Sequence, residues 1–442
     1  MPPARPTFPR LPLKRALKRA LMLALVTALT AAVLSLGATS SSAAPAVRAL
    51  AQVSAAPGSS AGHRVGRSAD LTLRLAYPRH PLASRVTQGH PGRKGRPLFR
   101  HTEMPDPTGI AFRGRYVAIG TGSLAPRSIA TSVAGPWKDR GNALKRLPPW
   151  ATGRNIWASD IVQVEKHKFL LYFAAPAGGL GPLGRCIGVA VSRSPLEKFH
   201  PQRRPITCPR MARTPLASDK IRPPSPSPHA AGVIDPEGYQ ARNGARYLLY
   251  RTQGTPSSIR MVRLTRDGLR ARKGGRARIL ATSRGVIENP VLVQQRKGWV
   301  LITSQGYYGD CNYRTTWRRA PTLQGLKKVR SRALVTRAST RLCGPGGADV
   351  IHGSLLFFHA WTCRQRACPH RDLQKKPRYG AQRSLFAAQL RWDRRGRPHL
   401  GAFVKPGRKK KHQPSAQQQP APESEPDDPG PLLPLPLGLR QR

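Results

Sequence analysis

Acidic side chains are scarce in this sequence, because 20 Asp and Glu stand against 76 Lys and Arg and the formal net charge is +56. A surface of this charge attracts polyanions through its field rather than through sequence-specific contacts. We therefore expect the basic surface to bind anionic polymers, and the charge alone indicates no specific nucleic-acid ligand. Four of the twenty acids lie in the C-terminal tail, so the positions of the others are informative.

Long apolar runs are also few, and one segment alone is relevant to a membrane. Residues 21–36 are uncharged and apolar, basic residues precede them, and small residues follow up to Ala46. This order is typical of a secretory signal peptide, and the run is short for a membrane span. An uncleaved anchor is the competing interpretation. We predict a signal peptide at 1–46 and a secreted, extracellular protein with no membrane contact after cleavage.

The six cysteines include no CxxC pair and none at zinc-ligand spacing from a histidine, which argues against a zinc site. An even number in an exported chain favours disulfides. Many pairings are open. We predict that sequential neighbours join, which gives Cys186–Cys208, Cys311–Cys343 and Cys363–Cys368.

Both ends of the chain lack apolar periodicity. Residues 47–100 and 405–442 are rich in Pro, Ser, Arg and Lys, and they are interpreted as a basic flexible segment and a low-complexity tail. Residues 101–404 are long enough to bury a core. The sequence thus predicts one folded domain with disordered basic extensions.

Within residues 101–404 one unit recurs five times. Each copy has an acidic residue near a Pro or Gly turn, then a tight turn and an alternating strand; these strands are RYVAIG, KFLLYF, RYLLYR, GWVLIT and LLFFHA. Period-two alternation predicts strands, and the turns between them predict hairpins. No long helix is visible after the signal peptide. Five units of about four strands predict an all-β, five-bladed β-propeller. A β-sandwich is the alternative, but it does not explain five copies.

The acids of the five units occupy one register in this alignment: Asp106, Asp160, Asp235, Glu288 and Asp349. In a propeller the innermost strands converge on a central channel, so these side chains would meet at its mouth. Single Asp-Pro pairs are common in turns. Five acids at one register in a chain so poor in acids favour a functional role. Paired carboxylates suit glycosidic bond cleavage, which needs one protonated and one ionised group.

The five segments resemble, in chain order, those of glycoside hydrolase family 43, a group of five-bladed arabinanases, arabinofuranosidases and xylosidases. The resemblance covers roughly residues 101–395. It implies that Asp106 in DPTG is the general base, Asp235 in IDPEGY adjusts the pKa of the acid, and Glu288 in IENPV is the general acid of an inverting mechanism. Glu237 is interpreted as a solvated or salt-bridged neighbour.

The resemblance also implies contacts around these three acids. Trp157 and Asp160 match a second-blade segment, although Ser159 replaces the usual Pro, and Asp349 departs from the usual fifth-blade continuation. His359 matches a histidine at the channel axis that helps to hold calcium in some members. No cofactor is required for the reaction, and a structural calcium in the channel is the metal implied.

Aromatic side chains near the expected channel mouth are candidates for stacking on a sugar. They are Trp157, Tyr307, Tyr308 and Trp361, and core packing is the alternative role for each. Together with Asp160, they complete the predicted substrate site.

The sequence therefore predicts a secreted, monomeric glycoside hydrolase that cleaves arabinose- or xylose-containing polysaccharide of plants or cell walls. Two alternatives remain open. A fructan-cleaving propeller would carry an Arg and a Cys in motifs that here are IDP and ENP. A non-catalytic propeller would bind anionic wall polymer through its charge.

Overall fold

The structure is a computed structural model, and it describes residues 95–99, 103–209, 232–273, 277–364, 367–375 and 380–407. The predicted signal peptide lies outside the described residues, as do residues 47–94 of the basic segment and 408–442 of the tail. Among the described residues, no helix has the length and apolar character that a membrane crossing requires.

Five antiparallel sheets follow one another along the chain, as the repeats predict. The first sheet has the order β1-β2-β4-β5, with strands β1 (Thr108–Phe112), β2 (Arg115–Ile119), β4 (Pro126–Ala130) and β5 (Lys138–Asn142). The second has the order β3-β6-β7-β8-β9, with strands β3 (Gly122–Ser123), β6 (Asn155–Glu165), β7 (Lys168–Pro176), β8 (Arg185–Ser192) and β9 (His200–Pro201).

The remaining three sheets each have four strands in sequential order. The third contains β10 (Val233–Gln240), β11 (Arg246–Thr252), β12 (Ser257–Arg263) and β13 (Arg278–Ser283). The fourth contains β14 (Ile287–Gln295), β15 (Gly298–Gln305), β16 (Arg314–Ala320) and β17 (Arg332–Val335). The fifth contains β18 (Cys343–Ile351), β19 (Leu355–Thr362), β20 (Gln382–Trp392) and β21 (Pro398–Phe403). Among the described residues, helical structure is limited to α1 (Arg337–Thr340) and two short 3-10 turns, Gln324–Lys328 and Leu373–Lys375.

These sheets are the blades of a five-bladed β-propeller, so the predicted fold class is confirmed. The alternating runs of the sequence form the second strand of each blade, namely β2, β7, β11, β15 and β19. The predicted turns join them to the innermost strands. In the first hairpin, for example, Arg113 and Gly114 both have positive φ (46° and 71°), as a tight two-residue hairpin requires.

The core is divided among the five blade-to-blade interfaces, because each strand pair presents apolar side chains to both neighbouring blades. One buried cluster fills each interface, and a representative pair from each is Ile119 with Phe169, Leu170 with Leu248, Leu249 with Leu301, Val300 with Phe358, and Ala118 with Phe357. The last pair closes the ring between the fifth and first blades. The blades therefore stack through apolar surface, and the polar chemistry is left to the channel.

Short segments flanking the strands complete the ring. Leu98, which the sequence assigned to the flexible extension, is 6% exposed, and its N–H donates to the Leu385 carbonyl at 2.8 Å. Val404 is buried beside it and bonds to the Ala387 carbonyl. Both ends of the propeller thus pack against the fifth blade.

The three predicted disulfides are confirmed. They join Cys186 to Cys208, Cys311 to Cys343 and Cys363 to Cys368, and no described cysteine is free. Two of them fasten loops near the fourth and fifth blades, where they pack with Trp361 and Leu373.

Candidate active site

A residue with positive φ lies within the innermost strand of blades two to five, and in the first blade it lies two residues before β1. Its backbone conformation re-aims the neighbouring side chains. These residues are Asp106 (46°), Ala158 (40°), Asp235 (55°), Asn289 (47°) and Gly347 (58°). In blades two to five the pairing register shifts around this residue, which is the mark of a β-bulge. Such bulges recur beside active sites because they turn a side chain out of the pleat.

In four blades, the N–H of this residue donates to a side chain of the preceding blade. The four bonds are Asp106 N to His359 Nδ1 (3.0 Å), Ala158 N to Thr121 Oγ1 (2.9 Å), Asn289 N to Asp235 Oδ2 (3.1 Å) and Gly347 N to Ser304 Oγ (2.8 Å). The bulge would otherwise leave these N–H groups unpaired. Side-chain bonds around the channel therefore hold the left-handed residues in place.

The expectation that five acids share one register is wrong. Asp106 and Asp235 occupy the left-handed position, Glu288 precedes it by one residue, and Asp160 and Asp349 follow it by two. The bulge itself shifts the side-chain direction, which an alignment of strand patterns does not detect. As a result the acids divide into two groups, and one cavity of about 30 Å³ touches residues of both groups and of all five innermost strands.

Asp106 belongs to the first group and is held as an ionised carboxylate. Arg383 Nη1 lies 3.2 Å from its Oδ2, and the Thr121 hydroxyl donates to the same oxygen at 3.0 Å. Burial by itself would raise the pKa of this carboxyl, but the Arg383 charge and the donated hydrogen bonds outweigh it, so the pKa is lowered. Because its pKa is lowered, the carboxylate stays ionised to lower pH than an ordinary Asp, and in that form it can act as a base.

Asp235 and Glu288 complete the first group, and each lies in the electrostatic field of the other. Burial and repulsion from Glu288 raise the pKa of Asp235 to about 8, although Arg251 lowers it. Burial raises the pKa of Glu288 as well, against an ion pair from Arg251 and a bond from the Tyr313 hydroxyl at 2.7 Å. Two coupled carboxyls of this kind retain one proton between them near neutral pH.

His359 lies beside Asp106 as a neutral ring. Its Nδ1 accepts the Asp106 N–H, and burial lowers its pKa to about 3, so its 3.5 Å approach to Asp106 Oδ1 is not an ion pair. With Nδ1 used as an acceptor, the proton sits on Nε2, which is fully buried and has no partner among the described residues. Neither nitrogen is then free to ligate a metal, so the ring does not fit the calcium role implied for it.

The second group of acids comprises Asp160, Glu237 and Asp349, whose carboxylate oxygens lie within 4.8 Å of one another. Thr108 joins two of them, with its hydroxyl 3.1 Å from Asp160 Oδ1 and 3.0 Å from Asp349 Oδ2. Burial raises the pKa of all three carboxyls, that of Asp160 to about 8. Glu237 is therefore not the solvated neighbour expected from the sequence.

The predicted substrate residues are in unlike surroundings. Trp157 is partly exposed, and the Arg185 guanidinium lies 3.1 Å from its ring centroid. Tyr307 is 42% exposed and stays available for stacking.

Trp361 is 6% exposed and donates its indole N–H to the Tyr308 carbonyl at 2.7 Å, so the structure favours packing there. Asp160 is 6% exposed within the second acid group, and this burial argues against a direct sugar contact.

Sequence reasoning missed the basic and phenolic partners of the first acid group. Arg251 is the last but one residue of β11, a strand with an apolar centre, where a buried charge is unusual and could have been noticed. Arg383 and Tyr313 gave no such signal, because they come from strand β20 and from the loop before β16. The packing of the blades into a ring brings Arg383 and Tyr313 to the acids, and no local sequence pattern indicates this.

The chain was compared with known proteins. The family model described as Glycosyl hydrolases family 43 matches residues 104–398, well over half of the chain. Extracellular endo-alpha-(1->5)-L-arabinanase 1 of Bacillus subtilis (strain 168) is 23% identical over 288 residues, which are 60% of this chain and 82% of that protein. A probable arabinan endo-1,5-alpha-L-arabinosidase B of Aspergillus oryzae is 34% identical over 95 residues, 21% of this chain and 26% of that protein.

Solved structures share the fold. A thermostable family-43 glycoside hydrolase superposes with a TM-score of 0.55 and 17% identity, over 72% of this chain and 98% of that one. An alpha-L-arabinanase of Cellvibrio cellulosa in complex with arabinohexaose gives a TM-score of 0.51 and 20% identity, over 68% of this chain and 95% of that one.

Close packing at Gly347 gives a test of the channel geometry. A Cβ there would lie 2.6 Å from His359 Nδ1 and 2.8 Å from Asp106 Oδ1. Gly353 has a similar φ of 70°, but a Cβ there would meet nothing within 4 Å. Both alanine variants therefore incur about 1–2 kcal/mol of left-handed backbone strain, and only Gly347→Ala adds a collision.

We expect Gly347→Ala to lower the free energy of unfolding by about 1–3 kcal/mol more than Gly353→Ala does, which is the usual cost of overpacking. Denaturant unfolding of the two variants measures the difference. Equal losses would show that the glycine is not confined by His359 and Asp106.

Proposed function

The chain belongs to glycosyl hydrolases family 43 and hydrolyses O-glycosyl bonds, and from this premise we propose that it cleaves arabinose-containing polysaccharide by inversion, with Asp106, Asp235 and Glu288 as the catalytic carboxylates. The observation that carries the proposal is their unequal protonation. Asp106 is stabilised as the anion, while Asp235 and Glu288 compete for a proton.

Asp106 is the general base in this proposal. Its charge is maintained by Arg383 and Thr121, and its backbone is fixed by His359. An anchored carboxylate can take a proton from water as that water attacks the anomeric carbon. Because Oδ2 is oriented by both Arg383 and Thr121, little reorganisation of the carboxylate is needed at the moment of reaction.

Glu288 is the general acid, and Asp235 maintains its proton. Burial and Glu288 raise the pKa of Asp235 to about 8, and the Asn289 N–H that its carboxylate accepts opposes this rise, so the pair can hold its proton on Glu288 while Asp235 is ionised. An ionised Asp235 repels charge on Glu288 and so favours the protonated Glu288 that must donate to the leaving oxygen. Arg251 opposes this effect, because its ion pair with Glu288 favours the ionised form and lowers the pKa of Glu288.

Inversion requires a water between the base and the sugar. The carboxyls of Asp106 and Glu288 should therefore work at roughly 6.5–9.5 Å from each other, as in inverting glycosidases. Their positions on the first and fourth blades, on different sides of the channel, are compatible with this arrangement.

Arabinan is the proposed substrate, because the Bacillus subtilis and Aspergillus oryzae relatives are named for arabinan cleavage; xylose-containing polymers are the second choice. Export is proposed on three grounds: the signal-like N-terminus, three disulfides, and a relative named as extracellular. Trp157 and Tyr307 are the aromatic residues proposed to contact the sugar chain.

Removal of the general acid should depend on the leaving group. We expect Glu288→Gln to lower kcat/KM on arabinan oligosaccharides by about a hundredfold or more. The loss on nitrophenyl arabinofuranoside should be much smaller, because nitrophenolate leaves without a proton. Kinetics on both substrates, with thermal unfolding as a check of the fold, measure the difference.

Glu165→Gln is the matched control, since its side chain is 66% exposed at the end of β6 and should leave both rates unchanged. If Glu288→Gln kept full activity on oligosaccharides, Glu288 would not be the acid.

The pH profile of activity should report the ionisation of Asp106 and of the Asp235–Glu288 pair. Activity needs an ionised Asp106, so the acidic limb of kcat/KM should lie below the ordinary carboxyl range. It also needs one proton on the Asp235–Glu288 pair, so activity should fall as the pH rises through the raised pKa, near 8 for Asp235.

Arg251 lowers the pKa of both members of that pair. We therefore expect Arg251→Gln to move the alkaline limb to higher pH by roughly one unit or more, while Arg251→Lys, which keeps the charge, should move it less. Rate profiles of the three proteins measure the shift. An alkaline limb that stays in place in Arg251→Gln would contradict the assignment of that limb to the pair.

A further inference from the structure

We propose that a second pocket, between the third and fourth blades, binds acidic polysaccharide, a sugar chain that carries carboxylate groups. This interblade pocket has a volume of about 350 Å³, within the range of about 300–1,000 Å³ that ligand pockets occupy. It shares no lining residue with the cavity that touches the acids. Three aromatic and three polar side chains define it: Tyr239, Tyr247, Trp299, Arg242, Asn243 and Gln294.

The interblade pocket lies at the far end of the innermost strands from the proposed catalytic carboxylates. Asp235 is the third residue of β10, and Tyr239 follows four residues later, roughly 13 Å along the strand. Glu288 is the second residue of β14, and Gln294 follows six residues later, roughly 20 Å along. A sugar chain in this pocket would therefore leave the catalytic carboxylates uncovered.

The aromatic side chains form a continuous wall across the two blades. The Tyr239 ring meets the Trp299 ring edge to face, with centroids 5.7 Å apart, and its centroid lies 6.4 Å from that of Tyr247. All three side chains are partly exposed, although they pack against the core between these blades. Because an aromatic face is flat and apolar, it can cover the C–H face of a sugar ring and leave the sugar's hydroxyls free to hydrogen-bond.

The polar side chains of the interblade pocket offer hydrogen-bond donors. Gln294 Oε1 accepts the Tyr239 hydroxyl proton at 3.1 Å, and Asn243 Oδ1 accepts the Ala245 N–H at 3.2 Å. The amide nitrogens of Gln294 and Asn243 and the Arg242 guanidinium make no hydrogen bond with any described residue. The groups left over are thus N–H donors, which suit a ligand rich in acceptors, such as hydroxyl and carboxylate oxygens.

The charge around the interblade pocket has one sign. Residues 239–243, 294–299 and 321–328 supply most of its lining and contain no Asp or Glu. Their basic residues are Arg242, Arg296, Lys297, Lys327 and Lys328. Arg242 is exposed and forms no ion pair within the described part of the chain. It can therefore pair with a ligand carboxylate while the sugar ring lies on the aromatic wall.

Single-stranded nucleic acid combines the same two features, a ring that stacks and an anion. Acidic polysaccharide is favoured because the chain belongs to a family that acts on O-glycosyl bonds, so sugar polymers are the molecules that its channel meets. A second site for such a polymer would raise the effective concentration of sugar chains around the enzyme. The inference does not depend on the catalytic roles proposed above, because the pocket contains none of those residues.

Calorimetric titration of the full-length protein with trigalacturonate, a short oligosaccharide with three carboxylates, tests the proposal. Salt of about 0.15 M largely screens charges more than about 8 Å away. We expect saturable binding, and binding of the fully methyl-esterified trisaccharide should be at least about tenfold weaker, because a charge-assisted bond is lost. Absence of saturable binding would overturn the site, and equal binding of the ester would overturn its preference for acidic sugars.

Arg242→Gln is the sharpest variant, because the exposed side chain has no hydrogen bond or ion pair to lose. We expect it to weaken trigalacturonate binding about tenfold or more and to leave the rate on nitrophenyl arabinofuranoside unchanged. Arg115→Gln is the matched control, since it removes the same charge from an exposed position on the corresponding hairpin of the first blade and should change the affinity less than about twofold. Equal losses in the two variants would show that overall charge attracts the ligand, and they would overturn the pocket.

Trp299→Ala tests the aromatic wall, with thermal unfolding as a check of the fold. We expect trigalacturonate binding to weaken about fivefold or more, as for the loss of a stacking ring. Full affinity in the folded variant would overturn stacking of the sugar on this wall. A thymidine oligonucleotide is the comparison ligand: if Arg242→Gln and Trp299→Ala weakened its binding more than that of trigalacturonate, the pocket would be a nucleic-acid site and the proposal would be wrong.

Discussion

The backbone hydrogen bond that four of the five blades donate to a side chain of the preceding blade at the channel is the constraint on which the rest of the site depends. It holds a left-handed residue of each of these four blades in place around the ring. Two of the residues in this position are Asp106 and Asp235. The bonds between neighbouring blades therefore also help to orient Asp106 and Asp235, two of the proposed catalytic carboxylates, and strain in the backbone is offset by contacts between blades.

Electrostatics then differentiates carboxylates that are chemically alike. Arg383 favours the anion of Asp106, whereas burial and mutual repulsion favour a proton on the Asp235–Glu288 pair. The chain has a net charge of +56, and yet among the described residues two arginines pair with the proposed catalytic acids and no basic residue pairs with Asp160, Glu237 or Asp349.

Much of the fold could be predicted from the sequence, because hairpins are local. Runs such as KFLLYF and GWVLIT alternate with period two, and turn residues bound them. The identity of the three catalytic candidates also came from local motifs through the family resemblance. The separation of the acids into two groups could not be predicted, since it depends on bulges whose N–H partners lie on the preceding blade. Arg383 is 277 residues from Asp106 along the chain, so no local pattern relates them.

The stereochemistry of the first product tests the central claim most directly. Proton NMR of arabino-oligosaccharide hydrolysis, recorded before the released sugar mutarotates, gives the anomeric configuration. With Asp106 activating water opposite a leaving group protonated by Glu288, the first product should have the configuration opposite to that of the substrate. A product that retains the configuration would require a covalent intermediate, and it would contradict the roles given to these two carboxylates.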